Sequence, residues 1–153
     1  MESEFIRTIK LAPGLLKLKS SREANSAIND LLDFNYFSVL ENGGGPYDIT
    51  LDSADNKLIM IITSRGGTLR LPLSLRFFRG MVKDYFLLFE SYHDAVSQGH
   101  PEKIEALDMG RRSIHNEGAE KFISILENKI NIDFETARRF YTIISALMMG
   151  DKL

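Results

Sequence analysis

The period of the hydrophobic pattern changes near Leu73, and this change restricts the possible folds more than any other feature of the chain. Before Leu73, three short segments have the composition of β-strands and are separated by residues typical of tight turns; they span 47–52, 57–63 and 68–71. After Leu73, apolar residues recur at helical spacing to the end of the chain. The sequence therefore predicts an α+β fold in which a small antiparallel β-meander precedes a helical bundle.

The part of the chain before the meander is predicted to contribute one more strand and one short helix. Residues 5–11 alternate in the manner of a strand, which we expect at the edge of the meander. Ser20 and Glu23 have the spacing of a capping box, and apolar residues follow at helical intervals, so a helix is predicted over 21–33. We therefore expect a sheet of three to four strands, and a single domain over 1–153.

Three longer helices are predicted after the meander: over 74–97, over 101–128, and from the N-cap Asp133 to Gly150. In the first of them, apolar residues at helical spacing predict a buried stripe: Phe78, Met81, Val82, Tyr85, Phe89, Tyr92 and Val96. Phe77, Leu87 and Leu88 widen the apolar surface beyond one face. This aromatic helix is therefore either central to the bundle or part of an interface between copies of the chain.

The composition excludes several classes of site and partner. The chain has 153 residues and no cysteine, so it can form no disulfide, thiolate zinc site or cysteine nucleophile. Its 19 basic and 21 acidic residues give a formal charge of −2, which does not favour nucleic acid as a partner. Glu2 and Glu4 stand where a secretory signal would be basic, and no apolar run approaches the roughly twenty residues of a membrane span. We expect a cytoplasmic protein without a membrane partner.

Asp108, Arg111 and His115 form the most informative constellation. They recur at helical spacing on the apolar face of the second long helix, where isolated charges are costly to bury. We expect Asp108 and Arg111 to form an ion pair, and His115 is the residue best suited to exchange protons near neutral pH. As candidate catalytic residues, Arg111 would hold an anion, Asp108 would orient His115, and His115 would act as general acid/base. A structural ion-pair network that fixes the helix register explains the same residues and is the more common arrangement.

Gly118, in the same helix, predicts a close contact between helices. Glycine destabilises a helix interior by about 1 kcal/mol relative to alanine. Because Gly118 lies within the apolar stripe, we expect the close approach of another helix to compensate for it.

Residues 56–83 include six basic side chains and no acidic one: Lys57, Arg65, Arg70, Arg76, Arg79 and Lys83. Arg76 and Arg79 fall in the first turns of the aromatic helix, whose N-terminus already carries partial positive charge. Such a site suits a phosphate or an acidic partner, and pairing with carboxylates from elsewhere explains it equally well. With Arg111 and Arg112, these arginines are the candidate ligand-binding residues.

The sequence predicts no metal site and no cofactor. Glu90 and His93 have the spacing of half a di-iron carboxylate motif, but the other half is missing because Arg112 precedes His115 at that interval. The glycine run 43–45 leads into a strand and lacks the Lys-Ser/Thr of a phosphate-binding loop.

Four segments together resemble one family: GGPY (44–47), VKDYFLLFESYHDA (82–95), IEALDMGRRSIHNEGAE (104–120) and DFETARR (133–139). The chain is similar to the uncharacterised alphaproteobacterial protein family 0262 from about residue 6 to residue 147. This resemblance implies a small cytoplasmic bacterial protein, and it supplies no activity and no catalytic residue.

The sequence as a whole favours a binding or regulatory module that recognises a protein partner or an anionic ligand. Two alternatives stay open. One is an enzyme that acts on a phosphorylated or carboxylated small molecule, with His115 as general acid/base. The other is a structural homodimer built on the aromatic helix.

Overall fold

A computed structural model of the chain describes residues 4–16, 21–41 and 44–151. The helices and strands follow in this order: β1 (Ile6–Leu11), α1 (Pro13–Leu16), α2 (Ser21–Asp33), β2 (Phe37–Val39), β3 (Tyr47–Ala54), β4 (Lys57–Ser64), β5 (Gly67–Ser74), α3 (Arg76–Gln98), α4 (Pro101–Leu126), β6 (Ile130–Ile132) and α5 (Phe134–Asp151). The predicted α+β class and the predicted helices are confirmed. Ser20, proposed as the cap of α2, and Gly43 of the glycine run lie outside the described residues.

The three strands of the predicted meander, β3, β4 and β5, form a four-stranded sheet together with β1, in the order β1-β3-β4-β5. Its hairpins are antiparallel, and Asp55 and Asn56 between β3 and β4 both have positive φ, as a tight two-residue turn requires. Strand β1 adds to the edge of the meander as expected, but it runs parallel to β3, so the sheet is mixed. The chain passes through α2 before it enters β3, and such a crossover can return a strand in the parallel direction.

A second sheet pairs β2 with β6 in the antiparallel direction. Each strand has three residues, too few for an alternating pattern to stand out in the sequence, and neither strand was predicted. Their apolar side chains are buried: Phe37, Val39, Ile130 and Ile132. This small sheet therefore joins the segment after α2 to the connection between α4 and α5.

Helix α5 lies at the centre of the fold. It packs on α2 and on α4, and residues 143–148 are all buried. Asp133 caps the helix as predicted, because its Oδ1 accepts a hydrogen bond from the backbone N–H of Thr136 at 2.9 Å. The core that surrounds α5 contains side chains from both sheets and from every helix longer than one turn.

Helices α3 and α4 form an antiparallel hairpin that turns at Gly99, which adopts the left-handed conformation. The predicted buried stripe of α3 is only partly buried: Phe78 and Val82 belong to the core, whereas Val96 is 52% exposed. The rings of Phe78 and Tyr141 bring α5 against the beginning of α3, and the rest of α3 packs mainly on α4. Neither helix of the hairpin, nor any other described helix, combines the length and apolarity needed to cross a membrane.

Candidate functional site

Asp108 binds two arginine side chains on its own helix. Its Oδ1 lies 2.7 Å from Nη2 of Arg111, and its Oδ2 lies 3.1 Å from Nη2 of Arg112. The predicted Asp108–Arg111 ion pair is therefore present. Both carboxylate oxygens are occupied by guanidinium groups, so the carboxylate is directed along α4 rather than towards His115.

Arg111 also connects α4 to α3. Its guanidinium carbon lies 5.6 Å from the centre of the Tyr92 ring, which is the geometry of a cation–π contact. Its side chain is 40% exposed, so it lies at the edge of the helix pair and not in the core. The charged residues that were predicted on an apolar face thus occupy the part of that face which α5 leaves open.

His115 is held by α5. Its Nδ1 lies 3.3 Å from Thr142 Oγ1, and the same hydroxyl donates a hydrogen bond to the carbonyl oxygen of Arg138 at 3.0 Å. A hydroxyl has one proton to donate. We therefore assign the imidazole proton to Nδ1, which donates to Thr142 and leaves Nε2 as an acceptor. Nε2 is buried and has no hydrogen-bond partner among the described residues.

The surroundings of His115 keep its imidazole neutral. The rings of Tyr85 and Tyr141 meet it edge-on, with centroids 4.9 and 5.5 Å from its own. Burial lowers the pKa of His115 below its ordinary value, and the positive charges of Arg138 and Arg111 lower it further, to about 4. At neutral pH, His115 is an uncharged hydrogen-bonding group between α4 and α5.

Gly118 lets α5 approach α4 closely, as the sequence predicted. A Cβ at this position would clash with the ring of Tyr141, so a larger residue would force the two helices apart. Burial raises the pKa of Tyr141 to about 12. The hydroxyls of Tyr141 and Ser145 are both buried, and the Ser145 hydroxyl partly offsets this rise in the pKa. With His115 and Thr142, they place several polar groups at the junction of α4 and α5.

Arg76 and Arg79 lie at the start of α3, away from the residues around His115. Nζ of Lys121 lies 5.6 Å from the centre of the Phe77 ring, so this end of α3 is beside a part of α4 roughly 15 Å beyond Arg111, at 1.5 Å per residue. Both arginines are exposed, and neither forms an ion pair within the described part of the chain. The four candidate ligand-binding arginines therefore form two separate groups.

The side of α3 that faces away from α4 carries a further set of exposed residues. Tyr85, Leu88 and Tyr92 face α4, where they lie against His115, Gly110 and Arg111. On the opposite side, the exposed residues from 79 to 94 that share one face of the helix are Arg79, Lys83, Phe86, Leu87, Glu90 and Asp94, and we call this stretch the α3 outer face. Its two apolar residues are 41% and 53% exposed, and its charged residues form no ion pair with any described residue.

The sequence model of the uncharacterised protein family UPF0262 matches residues 7–150. The chain belongs to this family. The match includes all the segments that carried the resemblance in the sequence, so that prediction is confirmed. This family is uncharacterised, so membership assigns no activity to the chain.

Bacterial UPF0262 proteins are similar to this chain over most of its length. The UPF0262 protein of Caulobacter vibrioides (strain NA1000 / CB15N) is 49% identical over 126 residues, which is 82% of this chain and 79% of the relative. The relatives from Rhizobium meliloti and Rhizobium johnstonii are 47% and 46% identical over 123 residues, or 79% of this chain and 78% of each relative. No solved structure matches the chain.

Sequence reasoning on this UPF0262 chain missed the residues that α5 adds around His115. Arg138 and Thr142 lie one turn apart on α5, so they share a side of that helix. This spacing was visible in the sequence. It does not show that the shared side meets His115, because contacts between helices that are distant in the chain depend on tertiary packing.

Proposed function

We propose that this UPF0262 protein is a protein-interaction module and that the α3 outer face is its contact surface. The observation that carries the proposal is the exposure of Phe86 and Leu87, 41% and 53%, in the middle of a helix whose other side packs on α4. Adjacent large apolar side chains with a charged border are typical of interaction surfaces. The matching partner is a helix with an apolar centre and opposite charges at its two ends.

The charges on this face support selective binding. Arg79 and Lys83 precede the apolar pair, and Glu90 and Asp94 follow it. These four side chains form no ion pair with any described residue, so they remain available to a bound protein, and complementary charges set the orientation and suppress wrong partners. The face therefore combines an apolar centre with charges that fix the orientation of a bound partner.

The enzyme alternative receives less support from the residues around His115. A general acid/base works best with a pKa near the operating pH, and the pKa of His115 is lowered to about 4. Its free Nε2 is buried, and Thr142 rather than Asp108 contacts its Nδ1. This arrangement fits the structural alternative, in which the polar residues fix the register of α4 against α5.

An anionic ligand is a second candidate, favoured by the exposed pair Arg76 and Arg79 at an α3 terminus without an acidic first turn. Titration with inorganic phosphate, followed by amide NMR shifts, tests it. Salt-sensitive shifts centred on the first turn of α3 are expected if the candidate is correct. Equal shifts in an Arg76→Gln/Arg79→Gln variant would argue against it.

Site-specific photo-crosslinking in bacterial cells tests the interaction role. A photoreactive residue replaces Leu87 on the α3 outer face, and a matched one replaces Lys129, which is also exposed. We expect protein adducts from position 87 and not from position 129, with the partner identified by mass spectrometry. The absence of adducts at position 87, or equal adducts at both positions, would contradict the proposal.

A further inference from the structure

The α3 outer face is symmetric in spacing and complementary in charge about its centre. From Arg79 to Asp94 its residues follow one another at intervals of 4, 3, 1, 3 and 4, so the intervals read the same in both directions. At 100° per residue, all of them fall within an arc of about 100° on one side of the helix. Their order is basic, basic, apolar, apolar, acidic, acidic. Reversing the direction of the helix therefore exchanges every basic position with an acidic one.

We infer that a second copy of this chain binds the α3 outer face, with the two α3 helices antiparallel and centred between Phe86 and Leu87. A two-fold interface uses the same patch on both copies, so the patch must be complementary to its own rotated image. Antiparallel pairing brings Arg79 to the level of Asp94 of the second copy, and Lys83 to the level of Glu90 of the second copy. Parallel pairing would align like charges and is disfavoured.

This pairing also gives Arg79 a favourable partner. A cation in the first turns of a helix lies close to the positive end of the helix dipole and is unfavourable there. In the antiparallel dimer, the acidic end of the second copy's α3 lies beside this terminus. The second copy thus supplies carboxylates to Arg79 and Lys83, which form no ion pair with any described residue of their own chain.

The face is open to a second helix in the free chain. All six of its residues are exposed. The α4 helix occupies the opposite side of α3, where Leu88 contacts Gly110. A second copy can therefore approach without displacing the hairpin.

The size of the face predicts a reversible dimer. The stretch from 79 to 94 is about 24 Å long, and its few side chains are far short of the roughly 20–30 residues a side in a standard interface. We expect a dissociation constant on the order of tens of micromolar, weakened by salt because the flanking charges are exposed. The inference rests on the proposed function, since it names the partner of the same face.

Charge-reversal variants of the full chain test both the partner and the orientation. R79E/K83E makes the four charged positions of the face (79, 83, 90 and 94) all acidic, and E90K/D94K makes the same four positions all basic. Each variant alone is expected to self-associate at least about tenfold more weakly than the original chain. An equimolar mixture is expected to recover association as a heterodimer, because antiparallel pairing then joins an acidic face to a basic one. Sedimentation velocity over a micromolar to submillimolar series measures this, with circular dichroism as a check on folding.

E105K/E120K serves as the matched control, because it reverses two exposed acids on α4 and gives the same change in net charge. It is expected to dimerise like the original chain. The inference is overturned if the original chain stays monomeric at submillimolar concentration, if the mixture does not recover association, or if the control is weakened as much as E90K/D94K. A monomeric chain whose position 87 crosslinks to another protein would overturn the second copy as partner and leave the interaction role standing. Dimerisation of the purified chain without adducts in cells would overturn the interaction role in cells, and would leave a second copy as the partner of the α3 outer face in solution.

Discussion

Helices α3 and α5 are both rich in aromatic and aliphatic residues, yet only α5 is enclosed by the protein. In α5, Phe140 and Tyr141 are buried, and residues 143–148 follow them into the core. In α3, burial is limited to Phe78, Val82 and Ala95. Helix α5 has neighbours on several sides, whereas most of α3 has α4 alone. The number of surrounding elements, rather than the apolar content of the helix, decides how much of it is buried.

Truncation of an aromatic side chain should give the largest difference between the two helices. Phe140 stacks on Phe122 with centroids 5.1 Å apart, and Phe140→Ala is expected to lower the free energy of unfolding by about 4 kcal/mol through lost burial and a cavity. Phe86→Ala on α3 should lower it by less than about 1 kcal/mol, because Phe86 is already partly exposed. Urea unfolding at a concentration that keeps the chain monomeric measures both. Equal losses would contradict the difference in burial.

Adding one methyl group to a glycine should change stability in opposite directions at the enclosed junction of α4 with α5 and on α3. Gly118→Ala is expected to lower the free energy of unfolding by about 2 kcal/mol, since the new Cβ clashes with Tyr141 and pushes α5 from α4. Gly80→Ala in α3 has open space and should raise it by up to about 1 kcal/mol through helix propensity. Thermal unfolding of both variants measures the signs. Destabilisation by Gly80→Ala would show that the space beside Gly80 is not open.

The junction that encloses α5 should also respond to acid. Unfolded histidine has a pKa near 6.5, and the pKa of folded His115 is about 4, so the unfolded state binds more protons between these values. Stability is therefore expected to fall as the pH decreases from about 6.5 to about 4, by on the order of 2 kcal/mol once solvent screening of this partly exposed group is allowed for. His115→Gln, which cannot titrate, should remove this part of the pH dependence. An identical pH profile for both proteins would contradict the assignment.

The smallest expected effect concerns the start of α5. Asp133→Ala removes the carboxylate that accepts the Thr136 N–H, and should lower the free energy of unfolding by about 1 kcal/mol. Asp133→Asn keeps a capping oxygen and should recover most of the loss. Urea titration of the two variants measures the difference. No difference between them would show that the cap does not contribute.

Local sequence patterns predicted most of the elements but only part of the site. The strands and long helices could be predicted because their signals are local. These signals are the turn residues before and after β4 and the helical spacing after Leu73, and both reflect interactions between residues close in the chain. The Asp108–Arg111 pair was predicted for the same reason, because its partners are one turn apart. The contact of His115 with Thr142 joins two helices across 27 positions, and no local pattern specifies it.

The sequence by itself determined the α+β class, the long helices, the capping of α5 by Asp133, the close approach at Gly118 and membership of the UPF0262 family. Each of these depends on local spacing, on steric limits or on direct likeness between chains. The tertiary structure alone decided that β1 runs parallel to β3, that β2 pairs with β6, and that α3 keeps one side exposed. Those outcomes depend on which distant elements pack together, since burial and pairing are properties of neighbours in space and not of neighbours in the chain.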